Sequence, residues 1–264
     1  MTIERVEDPA DPRIEAYRDI RERDLKGRGG LFVIEGEIVL RAALARSRFA
    51  IASVLIGENR VGPLADLLAQ VPAAVPVFTA GRAVLDAIAG FPMHRGVLSV
   101  GRRGEAVAPD TLIAGLPERA SVVVLCGIAN HDNMGGLFRN VAAFGVDAVL
   151  LDSACCDPLY RKAIRVSAGA VLRVPFAQGG SVESLCDRLL GHGFRVLATS
   201  PAGGTSLKDA KPAQRLALLF GSEGPGLPPE LLSRLESVRI EMSGGFDSLN
   251  VATTSGIMLH HFRG

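Results

Sequence analysis

Side chains that could carry chemistry are concentrated in three polar segments in the C-terminal half of this 264-residue chain. In the first segment, Asn133 and Arg139 belong to a stretch with apolar residues at helical spacing, and Asn133 is predicted to cap that helix. Arg139 lies outside the apolar arc, whereas Gly135 and Gly136 let a ligand or another backbone come within a turn of its guanidinium. Arg139 is therefore either a solvated surface residue, as most arginines are, or a cation that contacts a ligand.

The second segment, Gly221 to Leu227, follows the apolar run Arg215 to Phe220 and has glycines in the order G-x-x-G-x-G. A dinucleotide-binding loop has the order G-x-G-x-x-G, and a P-loop ends in Lys-Ser or Lys-Thr, so neither phosphate-binding loop is present. Glu223 also disfavours a bare phosphate, because a carboxylate repels it. The segment indicates a loop pressed against a cationic or hydroxyl-bearing ligand.

The third segment, Ile240 to Val251, contains a Ser-Gly-Gly turn followed by Ser248 and Asn250. A helix is predicted to begin near Ser248, which places both side chains at its N-terminal end. Taken alone, this arrangement is typical of an ordinary capping serine after a glycine turn.

Two series of alternating strands and helices are predicted to hold these segments. A surface helix over residues 1–30 precedes the first series, which runs from Leu31 to Gly101, and a linker is predicted at residues 102–120. The second series contains strands predicted at Ser121–Cys126, Asp147–Leu151, Val171–Pro175, Phe194–Thr199, Arg215–Phe220 and Val238–Glu241. Buried strands separated by helical segments predict a mostly parallel sheet covered on both faces, which binds ligands beyond the carboxyl ends of its strands.

Composition excludes several classes of protein. Apolar residues make up 48% of the chain and charged residues 22%, which allows a sizeable core and excludes a mainly disordered chain. No uncharged apolar run reaches the ~18 residues of a membrane helix. The first residues alternate charges where an export signal would be apolar, so we expect a cytoplasmic protein that does not contact a membrane.

Metal binding and net charge are less informative. The four cysteines and five histidines show no metal-ligand spacing, so no metal site is predicted and the cysteines are expected to be packing thiols. The formal net charge of +1 neither favours nor excludes a polyanionic partner.

Taken in order, the three segments resemble the three motifs of the SpoU/TrmH branch of the SPOUT RNA methyltransferases. The matching features are Asn-x-Gly with an arginine four residues after that glycine, then Phe-Gly-Ser-Glu-Gly-Pro-Gly-Leu, then Ile-x-Met followed by Ser-Leu-Asn-Val. The resemblance covers residues 120–262 and includes Tyr160 and Ser167 to Ala170. Glu241 stands where the family usually has proline, and Ala252-Thr-Thr-Ser stands where Ser-Val-Ala is common.

The resemblance implies an α/β fold with two domains. Residues 106–264 would form a trefoil-knotted SPOUT methyltransferase domain, in which the second and third segments thread together into a cofactor pocket; knots are otherwise almost absent from proteins. Residues 1–105 are similar to the smaller, ribosomal-protein-like α/β domain that binds the RNA substrate in many of these enzymes, with Val33–Gly36 and Met93–Gly96 at matching loops. A generic α/β module accounts for residues 1–105 equally well.

The resemblance also implies the reaction and its residues. S-adenosyl-L-methionine is the implied cofactor, and a methyl group passes to a ribose 2'-hydroxyl of rRNA or tRNA in a homodimer that completes its active site across the subunit interface. The implied cofactor-binding residues are Thr199, Gly221, Ile240, Met242 and Leu249. The implied catalytic residues are Arg139, Asn133, Glu223, Ser248 and Asn250. RNA-binding candidates in the N-terminal domain are Arg95, Arg102 and Arg103.

The family proposal makes Arg139 a general base, but a guanidinium keeps its proton to very high pH. We therefore expect Arg139 to act as a cation that clamps the adjacent phosphate and stabilises the developing alkoxide. Three alternatives remain open: methylation of a base, as in other SPOUT branches; a catalytically silent RNA-binding protein; and a nucleotide-dependent oxidoreductase, which the glycine order disfavours.

Overall fold

The computed structural model describes residues 2–18, 30–90, 93, 96–222, 224, 226–244 and 247–263. The chain forms two compact units. The first unit comprises Met1–Glu105 and Leu159–Arg173, and the second comprises Ala106–Pro158 and Val174–Gly264. None of the helices in the described ranges combines the length and the apolar character needed to span a membrane.

The strands of the described residues are β1 (Ile3–Val6), β2 (Leu31–Glu35), β3 (Ile51–Gly57), β4 (Val77–Ala80), β5 (Val97–Arg102), β6 (Ala120–Leu125), β7 (Ala148–Leu151), β8 (Phe176–Gln178), β9 (Arg195–Thr199), β10 (Thr205–Ser206), β11 (Arg215–Phe220) and β12 (Glu236–Arg239). The α-helices are α1 (Glu37–Arg46), α2 (Ala65–Leu68), α3 (Arg82–Ala89), α4 (Pro109–Ala114), α5 (His131–Phe144), α6 (Arg161–Val166), α7 (Val182–Gly191), α8 (Pro229–Arg234) and α9 (Val251–Phe262).

The first unit is built on a five-stranded mixed sheet with the order β1-β4-β3-β5-β2. β1 and β3 run parallel to β4, while β5 is antiparallel to β2 and β3. Successive residues of β3 point to opposite faces of the sheet. Leu55 therefore packs in one apolar cluster with α3, while Val54 and Ile56 pack in another with α1 and α2. Burial of both faces gives this unit its own core.

The helix predicted over residues 1–30 is wrong for residues 2–18. These residues form β1 and then a short 3-10 helix at Pro12–Tyr17, whose Tyr17 is fully buried. The alternating charges belong to a turn and to an edge strand whose Glu4 and Arg5 are exposed, and two prolines in this stretch disfavour a continuous helix. Residues 19–29 of the predicted helix lie outside the described residues.

Residues 159–173 belong to the first unit, although the predicted boundary near residue 105 assigns them to the second. α6 lies on β2, where Arg161 pairs over 2.5 Å with the buried carboxylate of Glu35. This contact joins residues 126 positions apart, so no local pattern in the sequence signals it. The predicted linker at residues 102–120 is also partly wrong, because it contains α4, which buries Ile113.

The second unit contains a seven-stranded sheet with the order β10-β12-β9-β11-β6-β7-β8. Each of its described strand pairs is parallel, which confirms the predicted parallel α/β sheet. Val122 and Val123 of β6 point to opposite faces and are both buried, so both faces are covered. Because β12, β9, β11 and β6 are neighbours, the loops at their carboxyl ends meet at one edge of the sheet.

The strand predicted at Val171–Pro175 is wrong. A 3-10 turn occupies Ala170–Leu172, and β8 follows at Phe176–Gln178. Gly169 opens the turn with a φ of 82°, a conformation that glycine adopts easily. A short buried apolar run carries no periodicity that distinguishes a turn from a strand.

Candidate active site

A pocket of about 610 Å³ lies at the carboxyl ends of β9, β11 and β12. The residues that the motifs assign to the cofactor all line this pocket; they are Thr199, Gly221, Ile240, Met242 and Leu249. Ser248 and Asn250, which the motifs assign to catalysis, line it as well. The structure therefore brings together residues from three separate loops.

Sequence reasoning missed several residues of the same lining, among them Ser200, Asp247, Thr254 and Met258. Thr254 and Met258 lie one and two turns beyond Asn250 on α9, and this helical spacing is the signal that would have identified them. Asp247 directly precedes Ser248, but no periodic pattern marks it.

The loop after β11 folds back on itself at the pocket. Ser222 forms an isolated bridge with Gly226, and Gly224 and Gly226 have φ values of 91° and 68°. A Cβ on Gly221 would lie 2.6 Å from the carbonyl carbon of Gly226, so a side chain fits there only if the loop backbone moves. Gly221 is thus needed because the backbone comes close to it, and Gly224 and Gly226 are needed because they adopt left-handed conformations. Glu223 lies outside the described residues.

Asn250 and Asn133 connect the third segment with the first. Asn250 caps α9, and its Oδ1 accepts hydrogen bonds from the backbone N–H groups of Ala252 and Thr253 at 2.9 and 3.3 Å. Its Nδ2 donates to Oδ1 of Asn133 over 2.8 Å. Asn133 is buried, so this hydrogen bond ties the first turn of α5 to the start of α9 in a partly shielded position.

Two predicted helix starts are wrong. α5 is capped by Asn130, whose Oδ1 accepts from the N–H of Asp132 over 2.8 Å, so Asn133 lies in the first turn and not at the cap. α9 begins at Val251, because Asn250 and not Ser248 is its cap. In both cases two nearby residues offer the same capping chemistry, and local sequence does not choose between them.

Close packing of α5 and α9 fixes the position of the asparagine pair. A Cβ on Gly136 would lie 2.7 Å from the Cβ of Ala252, so the two helices can approach this closely only with glycine at position 136. Nδ2 of Asn140 donates to the carbonyl of Ala252 over 2.6 Å and to Oγ of Ser255 over 2.9 Å. Sequence reasoning missed Asn140. Its place one turn after Gly136 on the helical face of Asn133 was the available signal.

Arg139 has an exposed side chain on α5 and is not part of the described pocket lining. The prediction that it lies outside the apolar arc is confirmed, since Leu137, Phe138 and Val141 are fully buried. Within the part of the chain that the structure describes, its guanidinium makes no hydrogen bond or ion pair. Arg139 is therefore a cation open to an external ligand, but this chain does not bring it to its own pocket.

The RNA-binding candidates belong to the first unit. Arg102 is exposed at the end of β5, and Arg103 follows it with a half-buried side chain. Arg95 lies outside the described residues. RNA contact stays a prediction for all three.

The thiols are protonated packing groups. Burial, with a smaller contribution from the Asp152 carboxylate, raises the pKa of Cys126 to about 12. Burial also raises the pKa of Cys186 to about 12 and that of Cys156 to about 11. Among the described residues, no three His, Cys, Asp or Glu side chains are grouped so that they could hold a metal ion.

Solved structures with a similar fold are RNA methyltransferases. An AdoMet-bound rRNA methyltransferase from Sinorhizobium meliloti matches 99% of this chain and 97% of its own, with a TM-score of 0.81 and 24% identity. The SpoU methyltransferase AviRb from Streptomyces viridochromogenes, in complex with AdoMet, matches 95% of this chain and 97% of its own, with a TM-score of 0.80 and 20% identity. An RNA 2'-O ribose methyltransferase matches 97% of each chain, with a TM-score of 0.77 and 25% identity. The fold is that of a SPOUT methyltransferase.

Sequence comparison defines the family. Residues 120–260 match the SpoU rRNA Methylase family. An uncharacterized tRNA/rRNA methyltransferase of Mycobacterium bovis is 39% identical over 98% of this chain and 91% of its own. Another, of Mycobacterium avium, is 32% identical over 70% of this chain and 61% of its own. The chain therefore belongs to the SpoU rRNA methylase family of RNA methyltransferases, and the resemblance carried by the three motifs is confirmed.

Proposed function

We propose that this chain transfers a methyl group from S-adenosylmethionine to the 2'-hydroxyl of a ribose in rRNA or tRNA. One observation supports this proposal above all. Asn250 lines the same pocket as Gly221, Ile240 and Leu249, and it is hydrogen-bonded to Asn133 in the first turn of α5. The structural relative that is an RNA 2'-O ribose methyltransferase and the relatives named tRNA/rRNA methyltransferases support this acceptor.

The pocket suits S-adenosylmethionine in size and in chemistry. Its volume of about 610 Å³ lies within the ~300–1,000 Å³ of small-molecule sites. The close approach of Gly221 to the backbone at Gly226 leaves main-chain groups at the wall of the pocket, where they can bind a polar ligand. Ile240, Met242 and Leu249 supply apolar surface for the cofactor. When bound, the cofactor supplies an electrophilic methyl group.

The residues of the first and third segments act on the ribose. Asn133 and Asn250 hold each other and orient the sugar, with Ser248 beside them. The guanidinium of Arg139 donates hydrogen bonds to the neighbouring phosphate and to the 2'-oxygen as negative charge develops there, while the proton of the 2'-hydroxyl passes to solvent water.

Substrate RNA must expose the target ribose, which favours loops and single strands over duplex RNA. The first unit is proposed as the domain that binds this RNA. The exposed side chain of Arg102 is available to a phosphate, and such contacts make binding sensitive to salt.

Nucleoside mass spectrometry of rRNA and tRNA from cells with and without the protein tests the reaction. We expect one 2'-O-methylated nucleoside to be lost in cells that lack the protein and to return when the wild-type chain is restored. Loss of a base-methylated nucleoside would instead indicate that the chain methylates a base, as other SPOUT branches do. Calorimetric binding of S-adenosylmethionine with no change in any nucleoside would select a catalytically silent RNA-binding protein.

A homodimer is the expected assembly, because Arg139 lies outside the pocket lining of its own chain and the resemblance implies a site shared between subunits. Leu249 and Ile257 present apolar side chains that are 38% and 39% exposed in the single chain. Light scattering at micromolar concentrations is expected to give twice the 27.8 kDa mass of one chain. A mass of one chain throughout that range would contradict the dimer.

A further inference from the structure

Asp247 is the one charged side chain among the described residues that line the pocket. The polar side chains around it are Thr199, Ser200, Ser222, Ser248, Asn250 and Thr254. The other lining residues are glycine, proline or apolar residues. Asp247 itself makes no hydrogen bond or ion pair within the described ranges. Its carboxylate is thus the one side-chain charge in the described part of the lining.

Basic side chains near the end of β12 are engaged elsewhere. Nη1 of Arg239 donates to the carbonyl oxygens of Gly203 and Gly204 at 2.8 and 3.0 Å. Lys208 pairs with Glu241 over 3.2 Å. Neither cation balances the carboxylate of Asp247, so the described part of the pocket carries a net negative charge.

The cofactor and its product differ by one unit of positive charge. S-adenosylmethionine has a sulfonium, an ammonium and a carboxylate, and therefore one net positive charge at neutral pH. When its methyl group leaves, the electron pair of the S–C bond stays on sulfur, so S-adenosylhomocysteine is a thioether with no net charge. A carboxylate in the pocket lining attracts the first ligand more strongly than the second.

We propose that Asp247 is a specificity-determining residue whose carboxylate favours S-adenosylmethionine over S-adenosylhomocysteine in this pocket. The inference rests on the proposed function, and its consequence is easier release of the product. Because Asp247 is exposed, water screens its charge. The expected contribution to the ratio of the two affinities is therefore on the order of 5-fold, and it decreases as salt is added.

Calorimetry on the full chain tests this role with Asp247→Asn, which keeps the shape of the side chain and removes its charge. S-adenosylmethionine is expected to bind about 5-fold more weakly, while the affinity for S-adenosylhomocysteine stays unchanged. Sinefungin, which has an ammonium group near the position of the sulfonium, is expected to follow S-adenosylmethionine. Asp209→Asn is the matched control, because Asp209 is exposed and lies outside the pocket lining.

Two results would overturn the inference. Equal weakening of all three ligands would mean that Asp247 binds a group they share, such as the ribose hydroxyls or the amino-acid ammonium. Unchanged affinities in Asp247→Asn would mean that its charge does not reach the ligand. Failure of the wild-type chain to bind S-adenosylmethionine would overturn the proposed function itself, so the two failures are distinguishable.

Discussion

Gly221→Ala is expected to weaken S-adenosylmethionine binding by up to about 100-fold, and Gly221→Val to remove it. The added Cβ would lie 2.6 Å from the carbonyl carbon of Gly226 and 2.8 Å from the backbone nitrogen of Leu227. Both are main-chain atoms of the loop that lines the pocket, so no side-chain rotation relieves the overlap. Overpacking of this kind typically costs ~1–3 kcal/mol. If the loop relieves it by leaving the binding conformation, restoring that conformation on binding lowers the affinity by roughly 5- to 150-fold.

Calorimetry measures the loss, and Gly204→Ala is the matched control. A Cβ at Gly204 would have its nearest neighbour, Oγ of Ser237, at 3.9 Å, which is an ordinary contact, and Gly204 does not line the pocket. Thermal unfolding of both variants shows whether the chain remains folded. If folded Gly221→Ala binds S-adenosylmethionine as tightly as the wild type, the loop accommodates the added methyl group without a loss of free energy, and Gly221 does not shape the cofactor site.

Local sequence patterns were sufficient for much of the second unit. β11 and the glycine-rich loop that follows it are recognisable in the sequence, because a buried apolar run ends at Phe220 and three glycines follow within six residues. A parallel sheet brings the ends of its strands to one edge, so the motif residues after β9, β11 and β12 could be expected to meet in one pocket. The lining of that pocket agrees with this expectation.

Contacts between distant parts of the chain explain what the sequence did not predict. The packing of Gly136 against Ala252 and the hydrogen bonds of Asn140 depend on how two helices cross, which no single helix determines. The pairing of Arg161 with Glu35 places residues 159–173 in the first unit through a contact that is equally non-local. The unbalanced charge of Asp247 becomes visible only when the partners of the surrounding cations are known.

Arg139→Ala is expected to reduce methyl transfer by ~100-fold or more, while the affinity for S-adenosylmethionine stays near that of the wild type. The side chain lies outside the described pocket lining, so cofactor binding does not depend on it, whereas a cation beside the 2'-oxygen stabilises charge that appears only in the transition state. Single-turnover measurements with the natural RNA separate this step from product release. Arg119→Ala is the matched control, since Arg119 is also exposed but precedes β6 at the amino end of the sheet.

Arg139→Lys then distinguishes a clamp from a base. Lysine keeps the positive charge but loses the planar fork of the guanidinium, so a clamp predicts partial recovery relative to alanine that does not grow at high pH. A base predicts recovery that increases with pH as the lysine amine loses its proton. If Arg139→Ala turns over like the wild type and changes the free energy of unfolding by no more than about 0.5 kcal/mol, Arg139 is a solvated helix residue. In that case the cation that stabilises the 2'-oxygen must come from another part of the chain or from the RNA complex itself.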